Sequence, residues 1–154
     1  MSANLIGVIS DTHGLLRPEA VDALRGVEAI LHAGDIGKPE ILAELSCIAP
    51  VKAVRGNNDH GDWTVSVPET LSVNFNGVGV YMLHDLKQLM IDPAEEGFDV
   101  VVTGHSHKPF VEWRGGVLFL NPGSAGPRRF KLPVSLAFLN IRSGVAVGEI
   151  VNLL

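Results

Sequence analysis

The fold is decided by one stretch of sequence, Leu5-Ile6-Gly7-Val8-Ile9-Ser10-Asp11-Thr12-His13-Gly14. An apolar run rich in β-branched residues ends here in a polar segment that contains a carboxylate and an imidazole. Short runs of Val and Ile that are bounded by Gly, Asn or Asp predict buried strands. We therefore expect Asp11 and His13 to lie directly after a strand, at its carboxyl end.

Four further apolar runs end in polar motifs of the same kind. These motifs are Gly34-Asp35, Gly56-Asn57-Asn58-Asp59, His84-Asp85 and Gly104-His105-Ser106-His107. In open α/β sheets, the loops beyond the carboxyl ends of the strands converge on the binding crevice. Five loops are therefore expected to bring imidazoles, carboxylates and an amide to one place, and this combination is typical of a metal site.

The number of candidate ligands indicates two divalent cations rather than one. One tetrahedral zinc ion uses about four ligands, whereas a carboxylate can bridge two cations ~3.5–4 Å apart. Asp35 is our candidate for the bridge. Imidazole, carboxylate and amide ligands without thiolate favour Mn, Fe, Zn, Co or Ni over Ca or Mg, and Mn²⁺ is our first expectation. The seven candidate ligands are Asp11, His13, Asp35, Asn57, His84, His105 and His107.

These five motifs, in this order, resemble the calcineurin-like metallophosphoesterase superfamily and, within it, the small YfcE-type phosphodiesterases. The resemblance continues to Asn121-Pro122-Gly123-Ser124 and covers nearly the whole chain. It implies an α/β fold, a four-layer α-β-β-α sandwich with two mixed β-sheets. It also implies that Asp35 lies between two metals, one held by Asp11, His13 and His107 and the other by Asn57, His84 and His105.

The activity that the resemblance implies is hydrolysis of a phosphodiester by a hydroxide that bridges the two metals. Two divalent cations and two carboxylates leave a net charge of plus two, which a hydroxide and a phosphodiester monoanion bring near neutrality. This charge balance favours a diester over a monoester dianion. A phosphomonoesterase or nucleotide pyrophosphatase of the same fold stays open. So does a non-catalytic binding scaffold like the retromer subunit of this fold.

The chain departs from many relatives at Asn58, where they carry a histidine that contacts the phosphate and protonates the leaving group. An amide donates a hydrogen bond to a phosphoryl oxygen but cannot act as a general acid, a role worth about 10²–10⁴-fold in rate. We therefore expect a preference for aryl or nucleotide-like diesters. Our catalytic candidates are Asp35, Asn58 and His60, and His60 is either a substitute acid or a solvent-exposed turn residue.

Several residues beside the motifs have two interpretations each. We interpret His32, at a strand end before Asp35, as a packed residue that supports a ligand rather than as a ligand. Asp59 and Asp85 either orient ligand imidazoles or are solvated turn residues. The pair Arg128-Arg129 either guides an anionic substrate or belongs to a solvated loop.

Length and composition predict a single domain over residues 1–154, with 46% hydrophobic residues. The net charge of −5, with 12 Lys and Arg, argues against a broad nucleic-acid surface. No run approaches a membrane span, and we expect no secretory leader because the short apolar start lacks a basic flank. The single cysteine, Cys47, is predicted to be a core thiol and favours a reducing cytoplasm. A small phosphodiester substrate is the expected partner, and homo-oligomerisation stays open.

Proline at a helix start predicts helices over Pro18–Leu24 and Pro39–Ile48 and a weaker one over Pro93–Gly97. The hairpin dipeptides Asn76-Gly77, Gly115-Gly116 and Ser143-Gly144 separate several of the later strands. Ten strands with three helices favour two stacked sheets over one. The later strands are predicted over Ser66–Phe75, Val78–His84, Val100–Gly104, Phe110–Trp113, Val117–Asn121, Ser135–Ile141 and Ala146–Leu153.

Overall fold

The computed structural model describes residues 4–154 and contains ten strands and two short α-helices. The helices are α1 (Pro18–Ala23) and α2 (Pro39–Ser46), with 3₁₀ segments at Asp62–Ser66 and Leu86–Gln88. The strands are β1 (Asn4–Ile9), β2 (Ala29–His32), β3 (Val51–Ala53), β4 (Thr70–Phe75), β5 (Val78–Leu83), β6 (Val100–Val102), β7 (Phe110–Arg114), β8 (Val117–Asn121), β9 (Ser135–Arg142) and β10 (Val145–Asn152).

The strands form two mixed sheets of five strands each. The first sheet has the order β10-β9-β1-β2-β3, in which β1, β2 and β3 run parallel. The second has the order β4-β5-β6-β8-β7, in which β5, β6 and β8 run parallel. In the first sheet Ile9 is level with His32, and His32 is level with Ala53. The loops after these three strands therefore begin side by side, where the sequence motifs lie.

The two sheets pack face to face through a buried apolar layer. Side chains such as Val8 and Leu31 from the first sheet join Met82 and Leu118 from the second in one cluster, and all four are fully buried. Burying a side chain of this size contributes about 1.5–3 kcal/mol. Removal of this layer from water is therefore the main force that holds the sheets together.

The outer faces of the sheets are covered unequally. Helices α1 and α2 cover the first sheet, with Leu24 and Leu45 packed into the same cluster as Ile30. On the second sheet, Val101 packs against Leu86 of the short 3₁₀ segment. The predicted α/β sandwich of two mixed sheets is confirmed, although its fourth layer is reduced to this segment and its neighbours. None of the helices in residues 4–154 is both long and apolar enough to cross a membrane.

Two predicted elements are wrong in detail. Pro93–Gly97 is a turn and not a helix: the Asp92 carboxylate caps its start, but Gly97 adopts a φ of 85° and ends the segment after one turn. The strand predicted from Ser66 begins only at Thr70, since residues 62–66 form a 3₁₀ turn that ends before Pro68.

Cys47 is exposed, so the prediction of a core thiol is wrong. Helix α2 ends at Ser46, two residues before the predicted end, and Cys47 follows it as the C-cap. The buried side of the helix consists of Ile41 and Leu45. Cys47 lies six and two residues beyond them, which turns its side chain away from that side.

Candidate active site

The backbone at the predicted ligand positions adopts an unusual conformation. Eight non-glycine residues among residues 4–154 have positive φ. A non-glycine residue in this left-handed region costs roughly 1–3 kcal/mol, and such strain clusters at functional sites. Five of the eight are predicted ligands, namely Asp11 (φ 56), His13 (φ 47), Asp35 (φ 54), His105 (φ 70) and His107 (φ 63).

The loops that follow β1 and β2 are joined by backbone hydrogen bonds. The N–H of Asp11 donates to the carbonyl oxygen of Gly34 at 2.9 Å, and the N–H of His13 donates to that of Asp35 at 2.9 Å. A third bond of 2.8 Å joins Gly14 to Ile36. The two loops therefore hold the side chains of Asp11, His13 and Asp35 in fixed relative positions.

His32 lies buried beneath these two loops and connects them. The N–H of Gly34 donates to His32 Nδ1 at 3.1 Å, so the proton of a neutral ring is on Nε2, which faces Thr12 Oγ1 at 3.0 Å. The Thr12 hydroxyl then donates to the Ile36 carbonyl oxygen at 2.8 Å. Burial lowers the pKa of His32 to about 4, so the ring is neutral at pH 7. His32 thus supports the loops and is not among the grouped ligand atoms.

Five of the seven predicted ligands come together in two groups that share Asp11. The first group is Asp11, His13 and His107, and the second is Asp11, Asp35 and His84, with the ligand atoms of each within 4.8 Å of one another. Nε2 of His107 lies 3.3 Å from Asp11 Oδ1, and Nε2 of His84 lies 3.3 Å from Asp35 Oδ2. Two ligands of one zinc ion, each ~2.1 Å from it, lie ~3.4 Å apart at the tetrahedral angle. The observed separations fit a shared cation.

Four buried atoms of this cluster have no hydrogen-bond partner among the described residues. They are Asp11 Oδ1, His13 Nε2, His84 Nε2 and His107 Nδ1. Buried polar atoms are nearly always paired, so unpaired atoms need an explanation. At His84, Nδ1 donates to the Ala33 carbonyl oxygen at 2.7 Å, which leaves the Nε2 lone pair free to bind a metal.

The two carboxylates of the cluster are ionised at pH 7. Burial raises the pKa of Asp11, but the nearby imidazoles of His107 and His13 outweigh this effect and hold the pKa below its ordinary value. Burial also raises the pKa of Asp35, but the His84 imidazole and the Asn58 backbone lower it to about 2. Two buried anionic carboxylates beside free imidazole lone pairs require cations. The residues therefore fit divalent metal ions.

Asn58 is exposed, and it holds the carboxylate of Asp35. Its backbone N–H donates to Asp35 Oδ1 at 2.9 Å, and its side-chain Nδ2 donates to Oδ2 at 3.0 Å. The Asn58 Nδ2 carries a second N–H that this bond does not use, so contact of the amide with the substrate phosphate stays a prediction. Asp35 Oδ2 also lies 3.7 Å from His13 Nε2 and 3.3 Å from His84 Nε2, between an imidazole of each predicted metal.

The remaining predicted site residues lie outside the two groups. His105 is 43% exposed, and its ring meets the His84 ring edge to face at 5.2 Å. Asn57 is exposed and lines a cleft of about 540 Å³ together with His84 and His105. His60 is exposed, and no hydrogen bond or ion pair within residues 4–154 joins it to the cluster.

Asp59 and Asp85, the two carboxylates that were candidates to orient ligand imidazoles, have different positions. Asp59 is buried and accepts hydrogen bonds from the N–H groups of Gly37 and Gly56, both at 2.9 Å, so it joins two loops and orients no imidazole. Asp85 Oδ2 lies 3.8 Å from His105 Nε2, and its Oδ1 accepts from the Lys87 N–H. Only Asp85 therefore lies beside a ligand imidazole.

Sequence reasoning missed residues that position Asp11. The Ser10 hydroxyl donates to Asp11 Oδ2 at 2.6 Å, and the His105 N–H donates to the same atom at 3.1 Å. Ser124 Oγ donates to the Asp11 carbonyl oxygen at 3.0 Å, and Asn121 Nδ2 donates to that of Gly104 at 2.9 Å. The Asn-Pro-Gly-Ser motif signalled the last two, but its role depends on contacts with residues 113 and 17 positions earlier in the chain.

Glycines of the motifs allow the loops to approach closely. A Cβ atom on Gly56 would overlap the backbone and carboxylate of Asp35, and one on Gly34 would overlap the His84 ring. A side chain at either position would force the ligands apart. Packing around the ligand residues therefore requires glycine at these positions, in addition to any requirement of turn formation.

The fold and the cluster together define an α/β protein with a metal site at the carboxyl ends of its strands. The chain belongs to the calcineurin-like phosphoesterase superfamily, whose domain matches residues 5–144. Members of this family bind divalent metals, and membership supports a phosphoesterase.

Similar proteins support this family assignment. The chain is similar to a probable metallophosphoesterase of Methanothermobacter thermautotrophicus, with 40% identity over 96% of this chain and 92% of the relative. It is 29% identical to a phosphodiesterase of Methanocaldococcus jannaschii over 77% of this chain and 82% of that protein. The crystal structure of Vps29 from Entamoeba histolytica, complexed with Zn²⁺, has a TM-score of 0.74 and 25% identity, covering 97% and 99% of the two chains.

Proposed function

We propose that this protein is a phosphodiesterase that uses two divalent cations, with Mn²⁺ as the first expectation. The observation that carries the proposal is the pair of ligand groups around Asp11, with four buried atoms that lack a partner within the described chain. When bound, the cations supply Lewis acidity to the phosphoryl group and activate water for attack on phosphorus.

The residues of the chain orient the reacting groups. Ser10 and the His105 N–H hold the Asp11 carboxylate, while Asn58 holds both oxygens of Asp35. We assign Asp35 as the bridge because the family resemblance implies it and its Oδ2 lies near both His13 and His84, although the carboxylate common to the two ligand groups is that of Asp11. Ligands that are fixed in advance need no reorganisation during the reaction, which is the main source of electrostatic catalysis.

Preference for a diester rests on charge and on proton supply. Two carboxylates and one hydroxide offset three of the four positive charges of two divalent cations, so a substrate with one negative charge is better matched than one with two. Asn58 replaces the histidine that many relatives use as an acid, and its amide has no proton to transfer. The likeness to an archaeal phosphodiesterase supports the same preference. A phosphomonoesterase or nucleotide pyrophosphatase is the nearest alternative.

A non-catalytic scaffold is the second candidate, and the likeness to Vps29 favours it. Unpaired ligand atoms inside the protein favour the enzyme, since a scaffold gains nothing from leaving them unpaired. Metal-loaded protein that hydrolyses no diester, monoester or pyrophosphate would support the scaffold. The single, exposed cysteine also leads us to infer that the protein acts in the reducing cytoplasm.

The test of the phosphodiesterase proposal is a series of diesters with leaving groups of increasing pKa, assayed with Mn²⁺. Without a general acid, rates should fall steeply along the series, so aryl diesters should react far faster than alkyl ones. Asn58→His should raise the rates of poor leaving groups more than good ones, by up to roughly 10²-fold.

Asn58→Ala is the matched control in this series, because it loses the bond to Asp35 without adding an imidazole. Metal content is measured for each variant so that loss of metal is not mistaken for loss of an acid. A flat dependence in the wild-type protein would contradict the proposal that the leaving group departs without protonation.

A further inference from the structure

An exposed basic turn follows the Asn-Pro-Gly-Ser motif. It consists of Arg128, Arg129, Phe130 and Lys131, which place three cations within four residues of a chain with a net charge of −5. All four residues are exposed, and Phe130 is 93% exposed. None of the ion pairs within residues 4–154 includes these cations. We call residues 128–131 the basic turn.

The segment that leads into the basic turn is fixed to the metal-ligand loop. The Ala125 N–H donates to the Ser10 carbonyl oxygen at 3.1 Å, and Ser124 Oγ donates to that of Asp11 at 3.0 Å. The Arg17 guanidinium donates to the Gly126 carbonyl oxygen at 3.3 Å. Gly126 packs so closely on the carbonyl oxygen of Thr12 that a Cβ would overlap it.

The distance along the chain from this contact to the basic turn is short. Arg128 follows Gly126 by two residues, so their Cα atoms are at most ~8 Å apart. The turn is closed by a hydrogen bond of 3.1 Å from the Leu132 N–H to the Arg129 carbonyl oxygen. The basic turn therefore begins within about 8 Å of the contact between Gly126 and the metal-ligand loop at Asp11 and Thr12.

Phe130 contributes an aromatic surface at the same place. Its backbone has a φ of 53°, in the left-handed region that residues with a Cβ avoid. The ring is in water instead of packing on the protein, which costs free energy unless a partner covers it. Guanidinium groups and an aromatic ring side by side form the combination that binds single-stranded nucleic acid, through phosphates and stacked bases.

We propose that the basic turn binds the nucleotide adjacent to the scissile phosphate in a short single-stranded oligonucleotide. Arg128, Arg129 and Lys131 pair with phosphate oxygens, and Phe130 stacks on a base. This inference rests on the proposed phosphodiesterase function and names its substrate class. The acidic remainder of the chain confines the contact to one or two nucleotides, in keeping with the expected lack of a broad nucleic-acid surface.

An anionic membrane is the other partner with matching chemistry, since three cations and one Phe also suit a lipid surface. Attachment of the turn to the loop of a phosphodiester-cleaving site favours the oligonucleotide. A single exposed ring beside the cations also provides little apolar area for insertion. Binding to vesicles is therefore an outcome of the test and not a part of the proposal.

The experiment measures fluorescence anisotropy of labelled pentathymidylate with full-length protein in chelator, so that no hydrolysis occurs. Arg128→Gln/Arg129→Gln should weaken binding about tenfold and lower the slope of log affinity against log salt by about 1.4, the loss of two single-strand phosphate contacts. Phe130→Ala should weaken it about tenfold through lost stacking. The matched control is Arg142→Gln, an exposed cation on the β9–β10 hairpin, which should leave binding unchanged.

Equal affinity of the wild-type protein and the double variant for pentathymidylate would overturn the inference. So would sedimentation with phosphatidylserine vesicles by a protein that leaves pentathymidylate unbound. Hydrolysis of bis(p-nitrophenyl) phosphate with Mn²⁺ is assayed separately. Hydrolysis without binding through the turn overturns this inference alone, whereas binding through the turn without hydrolysis overturns the proposed activity alone.

Discussion

The hairpin turns and the metal-ligand loops use the same left-handed backbone conformation in opposite ways. In the hairpins, Asn76-Gly77 has φ values of 49° and 91°, and Ser143-Gly144 has 54° and 77°. All four residues are exposed, and Asn-Gly pairs adopt this turn at little cost. In the ligand loops, buried Asp11 and Asp35 and the imidazoles beside them adopt it instead. The left-handed backbone therefore forms tight turns at the surface, whereas in the site it orients the ligand side chains.

The hairpin turns and the metal-ligand loops differ in which residues hold the left-handed backbone in place. The hairpin between β4 and β5 is closed by local bonds, such as that from the Gly77 N–H to Asn74 Oδ1. The ligand loops are held by residues far along the chain, including Ser124, which bonds to Asp11, and His32, which faces Thr12. The free energy of folding therefore includes the cost of burying ligand atoms that have no partner inside the described chain. A bound cation should remove part of that cost.

Removal of metal should have the largest effect on activity. It should change the metal-ligand loops and leave the hairpin turns unchanged. Protein treated with chelator should lose hydrolysis of an aryl diester, and Mn²⁺ or a neighbouring transition metal should restore it. A ligand bound only by the folded state at one hundred times its Kd contributes about 2.7 kcal/mol, so Tm should rise with metal. Activity that persists in chelator, in protein that elemental analysis finds free of metal, would refute the two-metal site.

Asp35→Asn should disable the site more completely than Asn57→Ala. The Asp35 carboxylate is a charge shared by both proposed cations, whereas Asn57 is a neutral, exposed residue on the cleft wall. Titration calorimetry should show that occupancy of both sites collapses in Asp35→Asn and that Asn57→Ala weakens one. Normal binding of two metals by Asp35→Asn would show that Asp35 is not the bridge.

The sequence predicted those parts of the site that depend on local pattern. Apolar runs that end in Asp or His located the ends of β1, β2, β5 and β6, and parallel strands bring such ends together. The hairpin dipeptide Asn76-Gly77 was predicted for the same reason, because it needs only its own φ preferences. Five of the seven candidate ligands lie in the two groups, although these groups share Asp11 and not Asp35, while Asn57 and His105 line the neighbouring cleft.

The remaining features depend on contacts between distant segments. The amide of Asn58 bonds to Asp35, which lies 23 residues earlier in the chain, so no local pattern could assign it. His32 joins two loops through Thr12, and only the paired register of β1 and β2 brings these residues together. The helix predicted at Pro93–Gly97 was wrong because Gly97 adopts left-handed backbone and ends the segment after a single turn.

The pH dependence of unfolding stability measures how much His32 contributes to holding the ligand loops. Its pKa is about 4 in the folded protein against 6.5 for the free side chain, so between these values the unfolded chain binds more protons. The stability contributed by the neutral ring is complete above pH 6.5 and is lost as pH falls towards 4. The expected slope approaches 1.4 kcal/mol per pH unit.

His32→Gln removes this titration and provides the comparison. Denaturant unfolding in chelator should show a difference in stability between the wild-type protein and His32→Gln that shrinks as pH falls from 6.5 to 4. The other ionisable residues are the same in both proteins, so the comparison isolates the contribution of His32. A difference that stays constant over this range would mean that His32 does not connect the loops as a neutral ring.

The smallest effect should come from relieving the left-handed backbone at one residue in each region. Asn tolerates this conformation better than Ser or His, so Ser143→Asn and His13→Asn should each raise the stability of metal-free protein by about 0.5 kcal/mol. At the exposed Ser143 nothing else changes, and hydrolysis should equal that of the wild-type protein. At His13 the same relief removes an imidazole from the first ligand group, so metal binding and hydrolysis should fall together. Calorimetric melting with and without Mn²⁺ checks both variants. A stabilised His13→Asn that keeps full activity would show that its conformation serves the turn and not the metal.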